Sequence, residues 1–204
     1  MTIKDFNFPD NELSKTLLFL KEAGKLKSVI RQTHLSNEER FENSAEHSWH
    51  LTLLALCLTP IADLKLNANR ILKMLIVHDL GEVYHGDTFL YDEKRNNVSN
   101  KERTALIKLL EKASSNLTTE ILELWDEFEA QETGEAKFAQ SLDRFQPFME
   151  QLDNGGESWR RNKITYEKAL EKNKHIGDGF PALWTLYKNL AAQANAKGFF
   201  YIES

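Results

Sequence analysis

Helix-forming residues dominate this chain, and the residues that break helices are scarce. Only four prolines and nine glycines occur among 204 residues, and these two residue types disfavour a helix interior most. Leu, Ala, Lys and Glu fill several long stretches in which apolar side chains recur with the period of an α-helix. No strand-forming alternation of convincing length is present. The sequence therefore predicts an all-α fold.

Length and charge narrow the class of protein further. A chain of 204 residues favours one domain, spanning residues 1–204, that buries a large core without disulfides. The net charge of −5 argues against a nucleic acid polymer as partner. No apolar stretch approaches the roughly 20 residues that span a bilayer, and the N-terminus lacks the apolar segment of a signal peptide. We therefore expect a cytoplasmic protein with no membrane partner.

Caps and apolar periodicity place most helices. Asn43 with Glu46 three residues later is typical of a capping box and predicts a helix start. A first helix is expected from about Asn11 to Ala23. Its apolar side would consist of Leu13, Leu17, Leu18 and Leu20. Cys57 lies among leucines and is expected to be buried. Further helices are expected over residues 68–83, 100–113, 118–130, 134–151, 163–172 and 181–196.

The dipeptide His78–Asp79 follows the apolar run 71–77 and is the first candidate for chemistry. A His-Asp pair alone is more often a hydrogen-bonded pair than a pair of metal ligands. Here a helix would carry it into the core, and an ionised Asp is costly to bury unless it is paired or binds a metal. On a continuing helix Glu82 would share its side. Gly86 offers a turn that would bring Asp87 back toward the same place.

Three separate segments together resemble the HD-domain superfamily of metal-dependent phosphohydrolases, in the compact branch that includes the 5'-deoxynucleotidases. The segments are Glu42–Ser48, then His78–Asp79 with Glu82 and Gly86-Asp87-Thr88, and finally Ala136–Pro147. The resemblance extends from about Leu13 to about Trp184. It implies a single-domain helical bundle whose core covers residues 13–184.

In members of that family, the residues that match His47, His78, Asp79 and Asp143 bind a metal. Two imidazoles and two carboxylates suit one first-row divalent ion with positions left for water. Mn or Co is favoured, with Fe, Ni, Zn or Mg as alternatives. Such an ion lowers the pKa of a bound water and polarises a phosphoryl oxygen. The resemblance also gives Glu82 and Asp87 proton-transfer roles: Asp87 toward the water, Glu82 toward the leaving oxygen. These two roles are exchangeable.

Three further residues are candidates for substrate binding. Arg31 stands where the nucleotidase branch places an arginine that engages the substrate phosphate, and its planar fork of donors suits that contact. The next residue is Gln32, where the deoxynucleotidase prototype has an aromatic residue that crowds the sugar. A preference for 2'-deoxy sugars is therefore in doubt. Lys94, in the long segment 86–99, is either another phosphate cation or a solvated loop lysine.

The predicted function is that of a metal-dependent 5'-nucleotidase acting on a small phosphomonoester. The alternatives are a non-catalytic module that binds metal and nucleotide, a purely structural metal site, and a hydrolase of a phosphodiester or nucleoside triphosphate. Glu82 and Asp87 beside the four ligands argue against a mere binder, which needs no proton-transfer groups. Members of the family often form dimers, so a homodimer is one expectation, although no stretch of the sequence identifies its interface.

Overall fold

A computed structural model of the chain describes residues 6–36, 39–62, 64–92 and 97–203. Over these ranges the chain is mainly helical, which confirms the all-α class. The α-helices are α1 (Glu12–Ala23), α2 (Ser44–Leu58), α3 (Ala68–Val77), α4 (Glu82–His85), α5 (Val98–Leu110), α6 (Ser115–Ala130), α7 (Gly134–Asp153), α8 (Glu157–Arg161), α9 (Tyr166–Asn173), α10 (Ile176–Gly179) and α11 (Pro181–Ala196). Short 3-10 helices cover Gly24–Ser28 and Thr59–Ile61. None of the helices in the described ranges is long and apolar enough to cross a membrane.

Two predicted helix starts are confirmed by side-chain caps. The Asn43 side chain accepts hydrogen bonds from the backbone N–H groups of Ala45 and Glu46, and the Glu46 carboxylate accepts one from the backbone N–H of Asn43. Asn11 caps α1 by accepting from the backbone N–H of Ser14 at 2.9 Å. These caps satisfy N–H groups that have no partner within the helix, so a local sequence signal was enough to place them.

Helix α7 lies at the centre of the molecule and packs against α2, α3, α6 and α10. Phe138 and Leu142 on α7 are fully buried, as are Leu51 on α2 and Met74 on α3. The elements that carry the four predicted metal ligands are therefore held against one another by a shared apolar core.

The expectation that the chain has no strand is wrong. Strands β1 (Ile30–His34) and β2 (Phe41–Asn43) form an antiparallel hairpin. A hairpin this short is marginal by itself, and tertiary contacts hold it. The Glu150 carboxylate of α7 accepts hydrogen bonds from the Ser36 backbone N–H at 2.9 Å and from its hydroxyl at 2.6 Å. Long-range contacts of this kind leave no periodic signal in the sequence.

The predicted helix over residues 68–83 is also wrong in its C-terminal part, because α3 ends at Val77 and α4 begins at Glu82. The carbonyl of His78 accepts a hydrogen bond from the Trp125 indole N–H at 2.9 Å. Gly81 packs against α5 so closely that a Cβ there would lie 2.6 Å from the Glu102 carbonyl oxygen. His78 and Asp79 therefore lie on a turn between two helices and not within a helix.

The predicted apolar side of α1 is mostly exposed to solvent. The exposed fractions are 69% for Leu13, 44% for Leu17 and 56% for Leu20, while Leu18 is half-buried. The residue that α1 buries is Phe19, because α1 packs on the Gly24–Ser28 turn and α5 by the opposite face.

Helix α2 also exposes apolar side chains. Trp49, Leu53 and Leu56 form one side of the helix, with exposed fractions of 64%, 42% and 60%; we call them the outer face of α2. Cys57 next to it is exposed, so its predicted burial is wrong. The leucines around Cys57 are divided between the core and this outer face.

Candidate active site

The structure brings two histidines from different elements to one point. His47 on α2 and His78 after α3 have ring centroids 5.5 Å apart. Nδ1 of His47 lies 2.8 Å from the Gln146 side-chain oxygen, and Nδ1 of His78 lies 2.9 Å from the Leu75 carbonyl oxygen. An amide oxygen can only accept a hydrogen bond. Each Nδ1 must therefore carry a proton, and both Nε2 atoms face Asp143.

Two carboxylates face the Nε2 atoms of these histidines. Asp79 Oδ1 lies 3.0 Å from His78 Nε2, and Asp143 Oδ1 lies 2.9 Å from His47 Nε2 and 3.7 Å from His78 Nε2. Donor atoms of His47, His78 and Asp79 all lie within 4.8 Å of one another. The four residues predicted as ligands thus come together. Asp143 contacts the two histidines, and these in turn lie beside Asp79.

This donor set fits a divalent cation. The Nε2 atom of His78 is buried and has no hydrogen-bond partner, and a lone pair facing a carboxylate is unfavourable without a positive charge between them. Although burial opposes the effect, Asp79 and Asp143 raise the pKa of His78 to about 9. Burial would raise the pKa of Asp143, but the adjacent His47 and His78 hold it well below its usual range. The site therefore attracts positive charge, as a metal centre must.

Arg31 lies on β1 beside this centre and is not a surface arginine. Only 13% of its side chain is exposed. Its Nη1 atom lies 3.2 Å from Asp79 Oδ2 and 3.6 Å from Asp87 Oδ1, and its Nε atom lies 3.4 Å from Glu42 Oε2. Burial would lower the pKa of Arg31, but the surrounding carboxylates, Asp79 first among them, raise it. The guanidinium is thus held at the edge of the candidate metal centre.

The two residues predicted to transfer protons are close to the same centre. Glu82 is buried, and its Oε2 accepts a hydrogen bond from the Ser44 hydroxyl at 2.5 Å. Burial and the nearby Asp79 raise the pKa of Glu82 to about 9, although Arg31 opposes them. Without a metal, Glu82 therefore holds a proton at neutral pH.

The predicted turn at Gly86 is confirmed. Its backbone has φ 84° and ψ 162°, a conformation that side chains other than glycine's rarely permit, and its N–H bonds the Glu82 carbonyl at 2.8 Å. The turn reverses the chain, so that Asp87 reaches Arg31.

A cavity of about 1010 Å³, including its open mouth, begins at this centre. At one end it is lined by Arg31, His78, Asp79, Glu82, Asp87 and Asp143. Its other lining residues are partly polar and partly aromatic, the aromatic ones including Phe89, Tyr91, Phe148, Trp159 and Tyr187. Gln32 also lines the cavity.

Similarity to known proteins agrees with this arrangement. Residues 23–184 match the family described as "HD domain". The chain belongs to the HD-domain family. A protein named 5'-deoxynucleotidase HDDC2 from Xenopus laevis is 34% identical over 166 residues, which cover 79% of this chain and 81% of that protein. The 5'-deoxynucleotidase YfbR from Salmonella typhi is 29% identical over 164 residues, or 75% and 82% of the two chains.

A solved structure is similar to this HD domain over nearly its whole length. It is described as a predicted metal-dependent phosphohydrolase from Magnetospirillum magnetotacticum MS-1, and it has a TM-score of 0.89 and 34% sequence identity. The similarity covers 96% of this chain and 99% of that one. PH0347 from Pyrococcus horikoshii OT3, with a TM-score of 0.60 and 16% identity, shares the fold.

The HD domain contains site residues that sequence reasoning missed. Arg144, next to Asp143 on α7, lines the cavity, yet an arginine on an amphipathic helix usually indicates a solvated face. Gln146 contacts His47 and Glu42 contacts Arg31. Glu42 opens one of the segments that carry the family resemblance, which was the one signal available for it. Lys94 lies outside the described residues.

Proposed function

We propose that this HD-domain protein is a metal-dependent phosphohydrolase that removes phosphate from nucleoside 5'-monophosphates. The observation that carries the proposal is the convergence of two histidines and two carboxylates beside Arg31, next to one cavity that Arg31, His78, Asp79 and Asp143 line. The names of the HDDC2 and YfbR relatives supply the substrate class.

In this proposal His47, His78, Asp79 and Asp143 hold one divalent ion. Mn or Co is our first choice, and Fe, Ni, Zn or Mg also suits a mixed set of nitrogen and oxygen ligands. When bound, such an ion supplies a Lewis acid and an activated water. The leucine carbonyl and the glutamine amide that bind the two Nδ1 protons keep both imidazoles oriented for it.

Arg31, Glu82 and Asp87 then have separate tasks. Arg31 presents a planar fork of donors beside the centre and would bind the substrate phosphate through two parallel hydrogen bonds. The raised pKa of Glu82 supports its role as the acid that gives a proton to the leaving 5'-oxygen. Asp87, held by Arg31 at 3.6 Å, would orient or deprotonate the attacking water.

The rest of the cavity would hold the nucleoside. Its aromatic walls offer surfaces on which a base can stack. Gln32 adjoins Arg31 on β1, is exposed, and its carbonyl accepts a hydrogen bond from Arg161 at 3.1 Å. Because no aromatic ring at this position crowds the 2'-hydroxyl, we propose that ribonucleotides are accepted together with deoxyribonucleotides.

We further propose that the protein forms a homodimer through the outer face of α2. Three large apolar side chains lie together there, and the helix carries no Asp, Glu, Lys or Arg after Glu46. Exposed apolar surface of this kind usually marks an interaction site. The use of a single cysteine supports our proposal that the enzyme works in the reducing cytoplasm.

The test is a screen of the purified protein against paired ribo- and deoxyribonucleoside 5'-monophosphates, a phosphodiester and a nucleoside triphosphate, each with Mn²⁺, Co²⁺, Zn²⁺ and Mg²⁺. We expect phosphate release from both sugars of a monophosphate pair. Release from the diester or triphosphate alone would contradict the proposed substrate. A strong deoxy preference would show that a residue other than Gln32 guards the sugar.

A further inference from the structure

A buried carboxylate and a buried amide lie directly behind the candidate metal centre. Glu42 on β2 is 1% exposed and Gln146 on α7 is fully buried. The side-chain N–H of Gln146 donates to Glu42 Oε1 at 2.9 Å, and the side-chain oxygen of Gln146 lies 2.8 Å from His47 Nδ1. Burying both groups is costly unless each is hydrogen-bonded, so their arrangement requires an explanation.

The order of donors and acceptors along this chain is fixed by Glu42. A carboxylate can only accept hydrogen bonds, so the NH₂ end of the Gln146 amide must face Glu42. The oxygen end of that amide must then face His47, and His47 must donate from Nδ1. The Nε2 atom faces Asp143 and is the nitrogen left for a metal. Glu42, whose Oε2 also lies 3.7 Å from His47 Nδ1, thus selects the tautomer that can bind a metal.

A competing arrangement is available to His47 at the same site. Its Nε2 atom lies 2.9 Å from Asp143 Oδ1, so a proton on Nε2 would make a good hydrogen bond and would block coordination. His78 needs no such selection by a side chain, because a main-chain carbonyl, that of Leu75, accepts from its Nδ1. The two histidines therefore reach the same tautomer by different means.

The second oxygen of Glu42 faces the phosphate side of the site. Glu42 Oε2 lies 3.4 Å from Arg31 Nε, and both atoms are buried without a hydrogen-bond partner. The opposite charges compensate each other, since an isolated buried carboxylate is strongly unfavourable. Glu42 thus connects the candidate phosphate-binding arginine to the first candidate metal ligand.

We propose that Glu42 and Gln146 are positioning residues that hold His47 in its metal-binding tautomer and tie it to Arg31. This inference rests on the proposed function in assigning His47 to a metal and Arg31 to phosphate. The tautomer itself is a property of the metal-free protein and can be measured without any substrate.

The first test is ¹⁵N–¹H NMR of the histidine rings in metal-free protein. We expect Nδ1 of both His47 and His78 to carry a proton in the wild type. In Gln146→Leu the Nδ1 proton of His47 should be lost and only Nε2, toward Asp143, should stay protonated, while His78 stays unchanged as the internal control. Gln151→Leu removes another buried amide of α7, one that bonds the Ser158 backbone instead of a histidine, and should leave both rings as in the wild type.

The isosteric variant Glu42→Gln tests whether the Glu42 carboxylate orients the Gln146 amide. With an amide at position 42, the Gln146 amide can take either orientation, so His47 should become a mixture of tautomers. His47 unchanged in Gln146→Leu would overturn the proposal, and His47 unchanged in Glu42→Gln would remove Glu42 from it. If Gln146→Leu does not fold, Glu42→Gln decides by the same spectrum.

The second test is calorimetric titration of the metal-free proteins with Zn²⁺. Residues that orient a metal-binding histidine typically contribute roughly 10–100-fold to metal affinity, and we expect a loss of that size in Gln146→Leu but not in Gln151→Leu. Equal affinities in the two variants would contradict the proposal. If every nucleotide assay fails but the expected tautomer shift is seen, the proposed function is refuted while the positioning roles of Glu42 and Gln146 are supported. If nucleotides are hydrolysed but the tautomer does not shift, the positioning roles are refuted and the proposed function is supported.

Discussion

The role of each histidine in this protein depends on what its second ring nitrogen meets. His47 and His78 direct Nδ1 to oxygens that only accept, so Nε2 is available to a metal. His175 instead places Nδ1 3.1 Å from Asp178 on the exposed side of α10, and among the residues that the structure describes it belongs to no cluster of potential metal ligands. Residue type alone would treat these three histidines alike.

At this scale the first prediction concerns metal occupancy. His47→Ala, Asp79→Ala and Asp143→Ala should each lose most of the bound metal, because each removes one of few donors, while the helical content is retained. Elemental analysis of the purified variants together with circular dichroism checks it. Full metal stoichiometry and affinity in Asp143→Ala would show that Asp143 is not the fourth ligand.

The second prediction separates proton transfer from metal binding. Glu82→Gln and Asp87→Asn keep the shape of the side chain but remove its acid-base function. We expect metal content to stay close to that of the wild type, while turnover of a nucleoside monophosphate falls by roughly 10²–10⁴-fold. Steady-state kinetics on metal-analysed protein measures both. Wild-type turnover in either variant would show that the substituted residue does not transfer a proton.

The third prediction concerns the stability of metal-free protein as a function of pH. Burial and the nearby Asp79 raise the pKa of Glu82 to about 9 in the folded state from an ordinary value near 4.5, so the folded state holds a proton that the unfolded state releases. This stabilisation is fully present below about pH 4.5 and is lost as the pH rises toward about 9. The free energy of unfolding should therefore fall across this window, by up to about 1.4 kcal/mol per pH unit from this one group.

Glu82→Gln cannot ionise and should lack that loss. Urea unfolding of metal-free wild type and variant should show the variant gaining relative stability between about pH 5 and about pH 8.5. Glu203→Gln, a substitution at an exposed position beyond the last helix, serves as the control and should follow the wild type. If the free energies of unfolding of Glu82→Gln and the wild type differ by the same amount at every pH in this range, Glu82 is ionised throughout it.

Among the secondary-structure elements, the hairpin of β1 and β2 is short but supplies several residues of the site. It carries Arg31 and Gln32 to the cavity and Glu42 behind it. Side chains at the end of α7 hold it: Glu150 bonds Ser36, and the Asn154 side chain donates to the His34 carbonyl at 2.8 Å.

The fourth prediction tests that attachment. Glu150→Ala leaves the Ser36 backbone N–H without its acceptor, although the Ser36 hydroxyl keeps Asp153 at 3.0 Å, and this should cost about 1–3 kcal/mol of stability. Because the hairpin carries Arg31 itself but reaches the candidate metal ligands only through Glu42, KM for a nucleoside monophosphate should rise by a larger factor than metal affinity falls. Denaturation, kinetics and metal titration of the same variant check the three parts. A loss of metal affinity as large as the rise in KM would contradict a role limited to the hairpin.

The turn between α3 and α4 shows how an element boundary positions chemistry. Had the helix continued to residue 83 as predicted, the backbone carbonyl of His78 would bond within the helix. It accepts instead from Trp125 of α6, which anchors the His-Asp pair to a third element.

For the whole molecule, the outer face of α2 is, with the exposed leucines of α1, an apolar surface that the fold leaves uncovered. Trp49, Leu53 and Leu56 remain exposed in a helix whose other side supplies His47. Covering this face with a second copy would bury apolar surface next to the elements that carry the site.

The fifth prediction follows from it. The wild type should sediment as a dimer at micromolar concentration, and Leu56→Glu should shift it toward monomer because a buried unpaired charge is costly. Ile107→Glu places the same charge at an exposed position of α5, 43% exposed in the structure, and should leave the dimer intact. A monomeric wild type, or equal effects of both variants, would refute this interface.

The sequence by itself determined the helical class, the starts of α1 and α2 and the types of side chain that meet at the site. Helical periodicity and capping act within about four residues, so Asn11, Asn43 and Glu46 were sufficient to place two helix starts. The segments that resemble the HD-domain family indicated which His and Asp residues to bring together. The Gly86 turn was likewise predictable from one residue, since few others adopt its backbone conformation.

Only the tertiary structure decided how those residues would act. The tautomer of His47 depends on Gln146, which lies 99 positions away in the chain, and the burial of Arg31 depends on carboxylates from three other segments. Periodicity also did not show which leucines of α1 and α2 face the core. Amphipathic spacing shows which residues share one face of a helix, but not whether that face packs against another element or meets solvent. Contacts between distant segments carry no local pattern, and the chemistry of this site is made of such contacts.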